Sequence, residues 1–390
     1  MNCSKRGILI GLVLVGSVAM AATSTVSVDC SKGQSLNSAL GQLSKTTPVT
    51  VVVNGTCTEL VTVFGFENLT IQGQPGATLV EPSGVTVTLL TAALMIESSR
   101  SVTVTGLNVQ ADTTSGANAI GIGHGSSDIR LRNLTVQGGG EGIAVFEHSQ
   151  VSIAYVRAMD AAYTPLGVYD LSDVHLERSA LLDSTGTAWH VGMDVGASHI
   201  TMYATSISNM QIGINAYSDS DIDLVQFDTY YANNGANNVT ISNAAGTSFN
   251  GVQIYRSGLN VATAPLIINR AGQTSGGELA GILLSDGATM SSNNGALTIS
   301  SSNGQGIIAV NNSHATLSGA TVTGGMHGGL LAVNASSIDL TTGSVLTQIS
   351  GNKMDLFCDA TSMITGTANL TGAKTAQCAN LSATEVGPLP

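Results

Sequence analysis

Short segments of one pattern recur through the middle of the chain: Ile143-Ala144-Val145-Phe146, Leu166-Gly167-Val168-Tyr169, Val191-Gly192-Met193-Asp194 and Ile212-Gly213-Ile214-Asn215. Their first residues, with Ile120 before them, lie 23, 23, 25 and 21 residues apart, and Ile282, Ile308, Leu331 and Met354 continue at intervals of 26, 23 and 23. A period of this size marks a solenoid, in which each repeat buries its apolar face only against its neighbours. After each such segment comes a Ser two residues ahead of a second alternating one: Ser149 before Val151, Ser172 before Val174, Ser198 before Ile200 and Ser220 before Ile222. A strand, a short turn and another strand within one repeat leave no room for a helix, so each repeat reads as one β-coil.

Stacking about a dozen such coils at roughly 4.8 Å gives a rod of about 60 Å with a continuous aliphatic interior. The expected fold is all-β: a single-domain right-handed parallel β-helix over residues 49–380, preceded by an N-terminal cap over 22–48 and followed by a tail over 381–390. Leu36, Leu40 and Leu43 lie at helical spacing after Ser35, a good N-cap, so Gln34–Lys45 reads as an amphipathic helix capping the first coil. Composition agrees: the chain has 46 Gly, 10% charged and 43% hydrophobic residues, which suits turn-rich β structure and argues against disorder. A formal net charge of -12 excludes a basic nucleic-acid binder and would not attract an anionic polymer.

Residues 1–21 read as a signal peptide, with Lys5 and Arg6 ahead of an apolar run and Ala19-Met20-Ala21 at the cleavage site. The expectation is an exported protein, secreted or periplasmic, with no transmembrane segment and a monomeric state. Removal of Cys3 with the signal leaves Cys30, Cys57, Cys358 and Cys378. Four thiols allow three connectivities, and the favoured one joins Cys30 to Cys57 and Cys358 to Cys378, clamping either end of the stack. No His close by and no Cys-x-x-Cys spacing supports a zinc site.

Val51-Val52-Val53-Asn54-Gly55-Thr56-Cys57-Thr58-Glu59, followed by Asn68-Leu69-Thr70-Ile71-Gln72-Gly73, resembles the opening coils of the pectin-lyase-like superfamily of carbohydrate-active β-helices. The resemblance implies a polysaccharide or surface glycan as partner, and it is one of repeat pattern. Gly123-His124-Gly125 is similar to the Gly-His-Gly of polygalacturonases, but the acidic elements that precede it in that family are absent, and Arg130-Leu131-Arg132 follows too soon to be its Arg-x-Lys. Trp189-His190 matches only a fragment of a pectate-lyase motif. No catalytic role is carried over.

The repeat itself nominates a site. Beside the inward anchors, the outward positions are Gly121, Ala144, Gly167, Gly192 and Gly213, a strip of small residues along which a ligand approaches the backbone. The next outward column is Gly123, Phe146, Tyr169, Asp194 and Asn215, with His124, Glu147 and Asp170 beside it at the turn. Carboxylates from adjacent coils suit general acid and base or nucleophile in glycan cleavage. The expected catalytic residues are Glu147, Asp170, Asp194 and His190; the expected binding residues are Phe146, Tyr169, Gly167, Gly192, Asn215 and Trp189. A calcium ion bridging the carboxylates is a competing use of the same groups, and no other cofactor is expected. The plainer reading of each carboxylate and of His190 is a solvated or turn-stabilising role, with Trp189 plugging a turn. Two function classes follow: a secreted hydrolase or lyase on polysaccharide, and a non-catalytic glycan-binding or adhesive β-helix.

Overall fold

The structure is a computed structural model that describes residues 24–84, 91–184, 190–225, 237–242, 250–269, 279–300, 302, 304–341 and 344–370, and the backbone of 384–386. The expected signal peptide, Cys3, Trp189 and Cys378 lie outside these residues.

The chain is a parallel β-helix. Each coil contributes a first strand to a 12-stranded parallel sheet, while second and third strands join in a 27-stranded sheet that forms the other walls. One coil shows the plan: Glu141–Val145 in the first sheet, then Gln150–Ala154, then Arg157–Met159. The sequence pattern revealed two of these three strands. The third is only three residues long in several coils, too short for alternation to register.

Register corrects the expected anchors. The inward column of the first sheet runs Ile120, Ile143, Leu166, Met193, Ile214, Val252, Ile282, Ile307, Leu330 and Leu356. All are buried. Val191 and Ile212 pair with each other two positions earlier and are only half-buried, whereas Ile308 and Leu331 fall in the outward column. Val191, Ile212 and Met354 are displaced by two, which leaves the inside-outside alternation intact and so invisible to the pattern, whereas Ile308 and Leu331 are displaced by one, each following an equally apolar Ile307 or Leu330 that takes the inward place.

Gly121, Ala144 and Gly167 keep the outward column, but Gly192 and Gly213 instead belong to a packed glycine ladder at the beginning of the strands of this sheet. Gly192, Gly213, Gly251, Gly281, Gly306 and Gly329 are aligned coil over coil. A methyl group on Gly192 would sit 2.3 Å from Ile207 Cγ2 and 2.6 Å from the Gly213 carbonyl oxygen, and Gly213, Gly251 and Gly281 meet the next carbonyl and an Ile of the opposite wall in the same way. Gly192 is thus a core-packing residue rather than part of a ligand floor.

At the opposite turn the recurrent serines are buried and stacked. The amides of Ser149, Ser172, Ser198 and Ser220 donate to the hydroxyls of Ser172, Ser198, Ser220 and Ser257 at 3.0–3.3 Å. The ladder satisfies amides that the bend removes from the sheet.

At the N-terminal end the helix spans Leu36–Gly41, shorter than the amphipathic stretch suggested. Ser35 accepts the Ser38 amide, Leu36 and Leu40 are buried, and Glu59 accepts the amides of Leu36 and Asn37. Cys30 and Cys57 form a disulfide. Cys358 is also disulfide-bonded. The strand Thr384–Val386 pairs in parallel with Thr367–Asn369, so pairing extends into the segment expected to be a tail.

Candidate functional site

The 12-stranded sheet presents one outward column that changes character along the rod: Gly121, Ala144, Gly167, Asp194, Asn215, Gln253, Leu283, Ile308, Leu331, Phe357. Two residues further along each strand runs a second column: Gly123, Phe146, Tyr169, Gly196, Tyr217, Tyr255. Asp194 and Asn215 therefore belong beside Gly167, one column from where the repeat had placed them, again by a shift of two.

That shift creates the site. Tyr169 folds back along its own strand, over Gly167, until its hydroxyl lies 2.7 Å from Glu141 Oε1 of the preceding coil and 3.2 Å from Asp194 Oδ2 of the following one. Only a glycine permits this, because a methyl group on Gly167 would lie 2.6 Å from the Tyr169 hydroxyl and 2.8 Å from Glu141 Oε2. Asp194 also accepts from the Asn215 amide at 2.7 Å and from the Tyr217 hydroxyl at 3.4 Å. Glu141 is set by its turn: Gly138 and Gly139 take positive φ, and the Glu141 amide donates to Asn118 Oδ1 at 3.0 Å.

The electrostatics follow from that crowding. Burial pushes the Glu141 carboxyl up to about 7; the Tyr169 hydrogen bond opposes the rise and the Asp194 charge adds to it. Burial likewise raises Asp194, against hydrogen bonds from Asn215, Tyr169 and Tyr217. Tyr169 itself is pushed well above its ordinary value by burial and by the two carboxylates, and Tyr217 to about 12. One phenol carries one proton, so it can donate fully to only one of two carboxylates. The arrangement is satisfied when one of the two carboxyls holds a proton, and the further hydrogen bonds from Asn215 and Tyr217 favour the charged form at Asp194.

The other expected residues are placed differently. Glu147 and Asp170 both sit at the turn with positive φ of 55° and 56°, and both line the ≈ 360 Å³ cavity that also contains Asn118, Glu141, Ala144, Phe146 and Tyr169. Glu147 pairs with His124 at 2.5 Å, and the other nitrogen of that imidazole meets Glu97 at 3.2 Å. Phe146 packs over Gly123 with Met95, Ala92 and Ala144 and is largely buried, while still bordering the cavity. His190 bonds the buried Asp183 at 3.0 Å, at the corner between walls, and does not share the outward face with Asp194. Trp189 lies outside the described residues. Glu141 and Tyr217 were missed: Glu141 precedes its anchor by two, where the repeat offers no other carboxylate to mark the column. The signal that points to Glu141 is the Gly138-Gly139-Gly140 run before it.

Among the described residues, the group of metal-ligating atoms lying close together is Cys30, Cys57 and Glu59. Its sulfurs are bonded to each other and its carboxylate accepts helix amides, so it does not fit a metal ion. No described helix is long and apolar enough to cross a membrane.

No protein-family model matches the chain, and no curated protein matches it. Among solved structures, the catalytic domain of a GH87 α-1,3-glucanase variant in complex with tetrasaccharides superposes with a TM-score of 0.53 and 12% identity, covering 93% of this chain and 68% of that one. A GH87 α-1,3-glucanase catalytic domain in complex with nigerose gives 0.49 and 11%, covering 93% and 68%. PfbA, a surface adhesin of Streptococcus pneumoniae, gives 0.44 and 12%, covering 87% and 93%. At such identities the likeness is one of fold: the chain is a single-domain parallel β-helix similar to these.

Proposed function

We propose that this protein is an exported hydrolase of uncharged glycans, with Glu141 as general acid and Asp194 as its ionised partner. The observation that carries the reading is the Tyr169 hydroxyl held between those two carboxylates. Burial keeps Glu141 protonated up to near neutrality, while the hydrogen bonds from Asn215, Tyr169 and Tyr217 favour the charged form of Asp194, which is the division of labour glycoside cleavage needs. Hydrogen bonds of 2.7 and 3.2 Å to one hydroxyl put the two bonded oxygens within 5.9 Å of each other. That bound suits a double displacement with retained configuration, whereas an inverting pair stands roughly 6.5–9.5 Å apart.

Substrate charge follows from the lining. Among the described residues the cavity is bordered by Glu141, Glu147 and Asp170 and by no Lys or Arg. A uronate or sulfate there would bring a further negative charge up to three acidic side chains, and elimination from a uronide needs a cation to neutralise the substrate carboxylate. Hydrolysis of a neutral polymer is therefore favoured over lyase chemistry. Residues 1–21 support export, which N-terminal sequencing of the extracellular or periplasmic protein tests.

Reducing-end release should appear on neutral glucans or related polymers and stay absent on polygalacturonate and alginate. Release from the polyuronates alone would reverse the proposal. The second reading, glycan binding without turnover, is favoured by one feature: Tyr169 itself occupies the space between the carboxylates. Retention on a glycan array with no release from any polymer would establish it. Calcium bridging the carboxylates belongs to that reading, and binding abolished by EDTA would identify it.

A further inference from the structure

Beyond the carboxylates the same outward column turns first to amides and phenols and then to hydrocarbon. Asn215 and Gln253, beside Tyr217 and Tyr255, give way to Leu283, Ile308, Leu331 and Phe357 in unbroken register. A cavity of ≈ 460 Å³ lies over this aliphatic stretch, lined by Tyr255, Leu283, Ile308, Val310, Leu331 and Val333 among others.

Two properties set its chemistry. Three polar side chains at its rim are engaged with neighbours: Asn311 Nδ2 donates to Asp286 at 2.9 Å, Asn334 Nδ2 to Asn311 at 3.1 Å, and the Tyr255 hydroxyl to Gln253 at 3.0 Å. A sugar laid over Leu283, Ile308, Val310, Leu331 and Val333 would bury hydroxyls against aliphatic side chains that return no hydrogen bond, a costly exchange. The stretch is also continuous with the carboxylate site: four coil steps, about 19 Å, separate Asp194 from Ile308, and three steps, about 14 Å, carry the hydrocarbon from Leu283 to Phe357.

We infer that the face accepts an amphiphilic saccharide, its sugars over the carboxylate and amide coils and an alkyl or acyl chain of the same molecule along Leu283, Ile308, Leu331 and Phe357. This rests on the glycan reading of the same face and narrows the substrate class to saccharides that carry a hydrocarbon chain. Burial of each methylene adds to affinity, so binding should rise with chain length.

The test uses the mature protein with hexyl and dodecyl maltoside as probes, titrated calorimetrically below their micellar concentrations. Dodecyl maltoside should bind at least tenfold tighter than hexyl maltoside, and Leu331→Gln should erase that ratio. Val333→Thr, a milder change at a half-buried position, should reduce it should Leu331→Gln fail to fold. Equal affinities for the two probes, or a ratio that survives both substitutions, would overturn the inference. So would concentration-dependent dimerisation in sedimentation that Leu331→Gln abolishes, since a second copy would then be the occupant. Glycan hydrolysis with no chain-length effect sinks this inference alone; a chain-length effect with no hydrolysis on any glycan sinks the hydrolase reading alone.

Discussion

Glu141 is the residue on which site chemistry and stability meet. Its carboxyl has an ordinary value of 4.5 and is raised to about 7 in the fold. Because the folded state holds the proton more tightly, its contribution to stability declines as pH rises from about 4.5 to about 7, by something on the order of 3 kcal/mol. Glu141→Gln should therefore melt higher than the wild type at pH 8 and no higher at pH 4, while losing about 10²- to 10⁴-fold in activity on the responsive glycan. A variant that melts lower at pH 8 would mean the carboxylate is stabilised in the site. His199 runs the opposite way in charge. Burial works against its protonation, but Asp223 and Asp173, each 3.2 Å from a ring nitrogen, outweigh it and raise the imidazole above 6.5. Its contribution is fully present below about 6.5 and lost as pH rises through the folded value; at 41% exposure it is small. His199→Gln should flatten the corresponding fall in Tm between about pH 6 and 8.

At the scale of the strand and its turns, two ladders position everything else. The glycine ladder lets the chain turn the corner against the Ile side chains of the far wall. Gly213→Ala, whose methyl would lie 2.5 Å from both the Gly251 carbonyl oxygen and Ile241 Cγ2, should cost about 1–3 kcal/mol or more in chemical denaturation. Gly41→Ala, in the helix with open space around the position, should gain roughly 0.5–1 kcal/mol. Ser172→Ala removes the acceptor of the buried Ser149 amide and should cost about 1–3 kcal/mol. The same ladders explain what the sequence could and could not tell. The recurrence of Ile-Gly-Ile and of Ser before each second strand made the coil legible, and with it the parallel stack and the alternation. Val191-Gly192-Met193-Asp194 matched the pattern of Leu166-Gly167-Val168-Tyr169 so well that the two were superposed, yet the pairing joins Leu166 to Met193. Side-chain alternation has a period of two, so a displacement of two residues is invisible to it. Asp194 stood out in the sequence as a candidate; its hydrogen-bonded link through Tyr169 to Glu141 did not, because it depends on a ring folding back across a glycine.

Across the whole molecule, the rod brings residues from successive coils together without any local sequence signal, and its ends carry constraints the middle lacks. Reducing the Cys30–Cys57 bridge should lower stability by about 2–4 kcal/mol, with amide exchange rising first in the N-terminal coils and last in the central ones. The central claim is that three consecutive coils place Glu141, Tyr169 and Asp194 in one coupled site. The measurement that tests it most directly is a pH titration of the Glu141 side-chain carboxyl by carbon NMR in the wild type and in Asp194→Asn, and it needs no substrate. The midpoint should lie near 7 in the wild type and move down when the Asp194 charge is removed. A midpoint near the ordinary 4.5 in both proteins would contradict the account.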